Sequence, residues 1–255
     1  MNRENRKGFT AAALALAWAM AATFPAAAGA AETSGHGPQK GKDKKEAAAP
    51  SVFVEDRGTF QIQVDGHPAG TEEFEIHQIA GEWIARGTAE VAGENGAKAK
   101  VTGKLELTPD GAPLRYDWTA SSPRKASATI VFDGTVAKME LKMEGAAPYS
   151  QDFNFQSPPV IILDNNMYHH YAVLARIYDW EHKEPKTYNV LIPQDLTPGT
   201  IRVEYGGQQM VDGQKLDVLR VSSTDLEIEL YCDNGRLMRL EVPSAKAVIV
   251  RLPAK

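Results

Sequence analysis

The residues best equipped for chemistry in this chain are two adjacent histidines, His169 and His170, with Asp164 shortly before them. A histidine oriented by a carboxylate is the usual general base, and with a serine it completes a hydrolytic triad. No G-x-S-x-G elbow supplies that serine, and Ser121 and Ser122 sit beside Pro123 at the end of an expected strand. Neighbours on a helix point about 100° apart, so the two histidines cannot grip one metal ion together. A helical zinc pair needs positions i and i+4, and those are Val173 and Leu174. His170 borders an apolar helical stripe and is expected to be partly buried, while His169 falls off that stripe. Glu73, Glu75 and His77 project from one face of a strand. Same-face neighbours lie about 6.6 Å apart, too wide for one ion that sits about 2.0–2.5 Å from each ligand. These three belong on a solvated face. Cys232 is the single cysteine, which excludes an internal disulfide and leaves too few thiolates for a zinc or iron–sulfur centre. It continues the alternation of Leu226, Ile228 and Leu230, so it is expected to be buried and inert. No metal, cofactor or catalytic residue is expected.

The elements that must position these residues are mostly strands. From Val52 onward apolar residues recur with period two, and turn signals recur about every 8–12 residues, among them Asp65-Gly66, Pro109-Asp110-Gly111, Asp133-Gly134 and Asp233-Asn234-Gly235. Phe60, Ile62 and Val64 share one face, as do Phe74 and Ile76, and Leu114, Tyr116 and Trp118. This pattern predicts about ten antiparallel strands with one wet and one dry face. One helix interrupts them at about 165–180, where Leu163, Met167, Tyr171, Leu174 and Tyr178 fall on one stripe and Asp164 or Asn165 serves as N-cap. The predicted fold is mainly β: a curled antiparallel sheet, an open or partial barrel, wrapped around one helix. Ala85, Gly87, Ala89 and Gly103 lie on the dry face and leave room beside the sheet for a helix, a ligand or both.

Composition bounds the function. The chain has 255 residues, 43% hydrophobic and 24% charged, with a net charge of −5. Those values exclude a collagen, a coiled coil and a disordered chain, and they leave no basic field for nucleic acid. Residues 1–30 read as an export signal: Arg3, Arg6 and Lys7, then an apolar run from Phe9 to Phe24, then Ala28-Gly29-Ala30 as a small-x-small cleavage site. The run is short of the roughly 20 residues that span a bilayer, and no later stretch is apolar enough. Removing it leaves 25 basic and 32 acidic residues over 225, a net charge of −7. Residues 31–51 hold a lysine-rich run without aliphatic periodicity and read as a disordered linker. Residues 52–255 then form a single β-rich domain.

The hairpin meander, the export signal, the stretch Ser157-Pro158-Pro159-Val160-Ile161-Ile162-Leu163-Asp164-Asn165-Asn166 and the return ending in Asp233-Asn234-Gly235-Arg236-Leu237 carry a resemblance. The layout resembles exported bacterial half-barrel proteins of unknown function, distantly similar to the outer-membrane lipoprotein carriers. The resemblance implies a concave face that holds lipid or acyl chains. On that reading the protein is a periplasmic or secreted envelope protein that binds an apolar or lipid-like ligand. Trp83, Tyr116, Trp118, Met167, His170, Tyr171 and Leu174 would line the site, with His170 or Arg220 at the polar end. The alternatives are a non-catalytic scaffold with a solid core, which meets an envelope protein partner through its surface, and a hydrolase using Asp164, His169 or His170.

Overall fold

Tight two-residue turns set the strand order. Asn234 and Gly235 both take positive φ (49° and 72°), as do Asp212 and Gly213 (50° and 81°). That backbone twist matches the twist of the flanking strands, so each pair closes a hairpin with no spare residue. The computed structural model describes residues 51–92, 98–121, 125–164, 167–193, 196–224 and 226–253. The export signal of 1–30, the linker of 31–51 apart from Ser51, and Ser122, Pro123, Asn165 and Asn166 lie outside the described residues.

Eight strands come first: β1 (Asp56–Val64), β2 (His67–Ile79), β3 (Glu82–Ala92), β4 (Lys98–Leu107), β5 (Pro113–Ala120), β6 (Ala126–Asp133), β7 (Val136–Met143) and β8 (Tyr149–Asn154). The short β9 (Val160–Ile162) and the helix α1 (His169–Ile177) follow. The return consists of β10 (Lys186–Ile192), β11 (Thr197–Val211), β12 (Gln214–Ser222), β13 (Glu227–Asp233), β14 (Arg236–Val242) and β15 (Ala247–Arg251). All belong to one sheet, in the order β8-β7-β6-β5-β4-β3-β2-β1-β15-β14-β13-β12-β11-β10-β9. Pairs are antiparallel except β9 with β10, which is parallel. The first and last strands meet at the centre, where Ile62 faces Ile249. After β8 the chain crosses to the opposite edge, so β9 ends the sheet there and packs across the interior against β5.

The sheet curls around α1, which touches β3, β13 and β14. Its inner face carries the core: Phe60, Ile76, Leu105, Ile130, Leu219 and Leu240 are each at most 1% exposed. Cys232 is buried as expected, and burial pushes its thiol pKa up, away from the reactive thiolate. The helix is shorter than its stripe predicts, His169–Ile177 rather than 165–180. Its N-cap is Tyr168, which offers no side-chain cap, and Asp164 does not serve as one. At the other end Tyr178 turns extended, and the Trp180 indole donates to the Ala175 carbonyl at 2.7 Å. Among the described residues the strands number fifteen rather than about ten; three-residue β9 and interrupted β11 are two that leave no clean alternation to read.

One end of the curl is closed by a charged cluster. Arg251 is 8% exposed and meets both carboxylate oxygens of Asp56, at 2.6 and 3.1 Å, while Arg236 reaches the same carboxylate at 3.0 Å. Burial alone would raise the Asp56 pKa, but the two guanidinium groups outweigh it and hold the carboxyl below its usual range. Phe53 packs beside Trp83, with ring centroids 5.5 Å apart, and seals the N-terminal segment against the sheet.

On the outer face a second, smaller core forms. Leu216, Val218 and Tyr231 are buried there, with Val211 and Met238 packed on them. A register shift between Tyr205 and Gln208, at Gly206-Gly207, bends the β11–β12 hairpin. The bent tip reaches over the outer face until Asp212 lies 3.8 Å from Arg239 on β14.

Candidate functional site

The interior holds a sealed polar cluster on the curl's inner face. Glu72 on β2 is 0% exposed, in phase with Phe74 and Ile76. Its Oε2 accepts the Tyr168 backbone N–H at 2.7 Å and its Oε1 that of His169 at 3.3 Å. The sheet therefore supplies, from a distant strand, the cap that the helix N-terminus lacks. The same Oε1 lies 2.5 Å from His169 Nδ1. Burial lifts Glu72 to about 8, against the pull of the two N–H groups, and lowers His169 to about 3, against the Ala85 carbonyl. Burial thus favours the uncharged form of both groups, in which the carboxylic acid donates to Nδ1 and the imidazole proton sits on Nε2.

His170 is 1% exposed and stands 4.5 Å from His169, ring centre to ring centre. Its Nδ1 accepts the Asp164 backbone N–H at 3.2 Å, which fixes the same Nε2–H tautomer. Burial, reinforced by His169, lowers the His170 pKa well below its ordinary value. Asp164 accepts the Tyr116 hydroxyl at 2.7 Å. Burial, reinforced by Asp164, raises the Tyr116 pKa well above 10.

Gly87 and Gly103 face one another across β3 and β4 and form the cradle. A Cβ at Gly87 would lie 2.6 Å from both Glu72 Oε1 and His169 Nδ1. A Cβ at Gly103 would lie 2.8 Å from the Tyr116 hydroxyl and 3.2 Å from Met167 Cε. The room left by these small residues is occupied by the helix and its approach.

All seven residues expected to meet a ligand lie on this inner side. Trp83, Tyr116, Trp118, Met167, His170, Tyr171 and Leu174 are 0–7% exposed and belong to the core. The space left between β4, β9 and α1, beside Leu105, Ile162 and Leu174, is about 10 Å³. His169, expected off the helical stripe, is as deeply buried as His170, because all of residues 169–175 are buried, whichever way they point from the helix. Arg220 points the other way and lies 3.4 Å from Glu229 on the outer face. Glu73, Glu75 and His77 do occupy the wet face, where Glu75 pairs with Arg86 and His77. Among the described residues no group of three or more side chains is placed to hold a metal ion. Sequence reasoning missed Glu72, although its phase with Phe74 already placed it on the dry face.

The accessible concavity lies on the outer face. A groove of about 1370 Å³, open to solvent, runs between the outer faces of β3–β5 and the overhanging tip of the β11–β12 hairpin. Thr59, Thr71, Thr88, Thr102 and Thr119 line it together with Arg86 and Lys104. Thr59, Thr88, Thr102 and Thr119 align in one row across neighbouring strands, with Glu73 between Thr59 and Thr88. Thr102 and Thr119 hydroxyls are 2.6 Å apart. Val211, Leu216, Met238, Val250 and Leu252 form the other side and part of the floor.

No family model matches the chain, and no curated protein matches it either. Among solved structures it is similar to a β-barrel-like protein of a domain of unknown function, DUF1849, from Brucella abortus. The TM-score is 0.52 at 10% identity, over 80% of this chain and 97% of that one. The likeness defines the fold class, a β-barrel-like curled sheet.

Proposed function

We propose that this protein is an exported, non-catalytic binding module of the cell envelope that works through its outer surface. The basic and apolar residues of 1–30 support export. The observation that carries the reading is the contrast between the two sides of the sheet. Inside, the pocket between β4, β9 and α1 measures about 10 Å³, no more than one water molecule, and the residues expected to line a cavity are packed into the core. Outside, the groove of about 1370 Å³ is open and lined by side chains that a partner can reach.

An apolar or lipid-like guest inside the curl, as the resemblance to the lipoprotein carriers suggests, requires the helix and its Glu72 contact to move aside. Native mass spectrometry of the purified protein with added oleate tests the choice. A single apo mass is expected, and a stable acyl adduct would restore the interior guest. Export is tested by fractionation: the full chain is expected outside the cytoplasm and cut after Ala30, and a chain lacking 1–30 is expected to stay inside. An uncut full chain in the cytoplasm would overturn that part of the proposal.

A further inference from the structure

Three arginines gather around one carboxylate at the charged end of the curl. Arg251 and Arg236 donate to the same oxygen of Asp56, Oδ1, at 2.6 and 3.1 Å. Arg176, in the last turn of α1, donates to the Asn234 carbonyl at 3.1 Å, in the turn that leads into Arg236. The turn is where the two arginines approach: a Cβ at Gly235, the residue before Arg236, would lie 3.6 Å from Arg176 Nη1. Among the described residues, Asp56 is the only carboxylate within 4 Å of any of the three guanidinium groups. The carbonyls of Arg57, Leu237 and Asn234 accept further N–H groups but carry no net charge. Three positive charges thus face one negative charge, in a chain whose net charge is −5.

The excess shows on both kinds of group. Burial pulls the Asp56 carboxyl up, yet the guanidinium groups hold it below the usual carboxylate range. Burial lowers the Arg176 pKa, and Arg236 and Arg251 lower it further against the pull of Asp56. Solvent reaches the cluster at Arg236, whose side chain is 46% exposed and also lines one end of the outer groove. Nη1 of Arg236 and Nη2 of Arg176 have no hydrogen-bond partner among the described residues.

We propose that this end of the curl binds a phosphate group, carried by a dissolved ester or by a lipid headgroup, with Arg236 and Arg176 as its direct contacts. A phosphate monoester carries about −1.5 to −2 at neutral pH, which matches the two charges that Asp56 leaves unbalanced. A carboxylate would leave one of them. A guanidinium offers its N–H groups in a planar fork that fits phosphate oxygens. Arg251 acts as a positioning residue, because hydrogen bonds to Asp56, Leu237 and Arg57 already hold it and it is 8% exposed. It fixes Asp56, and Asp56 in turn fixes Arg236. The site stands apart from the surface-binding reading, since it needs no partner in the outer groove.

Isothermal titration calorimetry of the purified protein with inorganic phosphate and with glycerol 3-phosphate, at neutral pH and constant ionic strength, tests this. One site with a Kd below about 1 mM is expected, and acetate is expected to bind at least about tenfold more weakly. Arg236→Gln leaves Asp56 paired with Arg251 and is expected to weaken phosphate binding about tenfold. Arg220→Gln removes an equally exposed arginine, paired with Glu229, and is expected to leave the Kd unchanged. Arg176→Gln is the second variant, and circular dichroism checks that each one folds. Flotation with phosphatidylglycerol vesicles separates the two sources. Vesicle binding that Arg236→Gln abolishes, without binding of the free compounds, assigns the phosphate to a lipid headgroup, and the converse assigns it to a dissolved ester. No binding in either assay, an unchanged Kd in folded Arg236→Gln and Arg176→Gln, or acetate bound as tightly as phosphate would overturn the proposal.

Discussion

Glu72 ties helix to sheet, and its protonation shows how. Its raised pKa gives stability that is full below the ordinary 4.5 and is lost as pH climbs to about 8. The lowered pKa of His169 gives stability that is full above the ordinary 6.5 and is lost as pH falls toward about 3. Between 4.5 and 6.5 the two slopes cancel, and above 6.5 the loss from Glu72 stands alone. His170, also lowered, adds a loss on the acid side of 6.5. Stability is therefore expected to peak near pH 6.5 and to fall by roughly 2 kcal/mol between pH 6.5 and 8. Urea denaturation at half-unit pH steps measures this. Glu72→Gln keeps an acceptor for the Tyr168 N–H and a donor for His169 Nδ1 but gives up the acceptor of the His169 N–H, so it is expected to fold with reduced stability and to lose the alkaline slope. An unchanged slope in that variant would place the titrating group elsewhere. Gly87→Ala is expected to cost about 1–3 kcal/mol, because the new methyl meets Glu72 and His169 while both are pinned to each other. The sequence placed Gly87 on the dry face and foresaw room there. It did not reveal that a carboxylic acid would share that face, since residue type argued for water while phase argued for the core.

Among the elements, the β11–β12 hairpin gives the sharpest contrast. Gly207 has φ of +90° with open space around its missing Cβ, whereas a Cβ at Gly206 would make ordinary contacts at 3.4 Å with Val218 and Arg220. Gly207→Ala is thus expected to cost about 1–2 kcal/mol through backbone strain alone, and Gly206→Ala much less. The Gly207 variant is also expected to loosen the hairpin tip. Equal denaturation midpoints for the two variants would contradict this account of the bend. The Asp233-Asn234-Gly235 hairpin was legible because its turn chemistry and flanking alternation agree. The bend was not, because a glycine pair inside a strand reads as a break rather than as a bulge. The helix ends were misplaced for a related reason: the stripe continues beyond the residues that keep helical dihedrals, and the cap comes from β2, far away in sequence.

At the scale of the whole molecule, alternation announces a curled sheet but not which strands pair across long gaps. The meeting of β1 with β15 depends on contacts nearly the length of the domain apart, and β9 reaches β5 from the opposite edge of the sheet. Period-two patterning is satisfied equally by a half-barrel with a hollow and by one with a filled centre. The aromatic and small residues expected to line a hollow are the ones that close it, with Trp83, Trp118 and Tyr171 inside one continuous core. An element enclosed on all sides should open only when the whole domain unfolds. Native-state hydrogen exchange across a denaturant series measures this directly at the amides of Ala172–Ile177. The account predicts that they exchange with the free energy and denaturant dependence of global unfolding. Exchange of these amides through a separate opening of much lower free energy, while β1, β2 and β15 stay protected, would show a removable helix and contradict a filled interior.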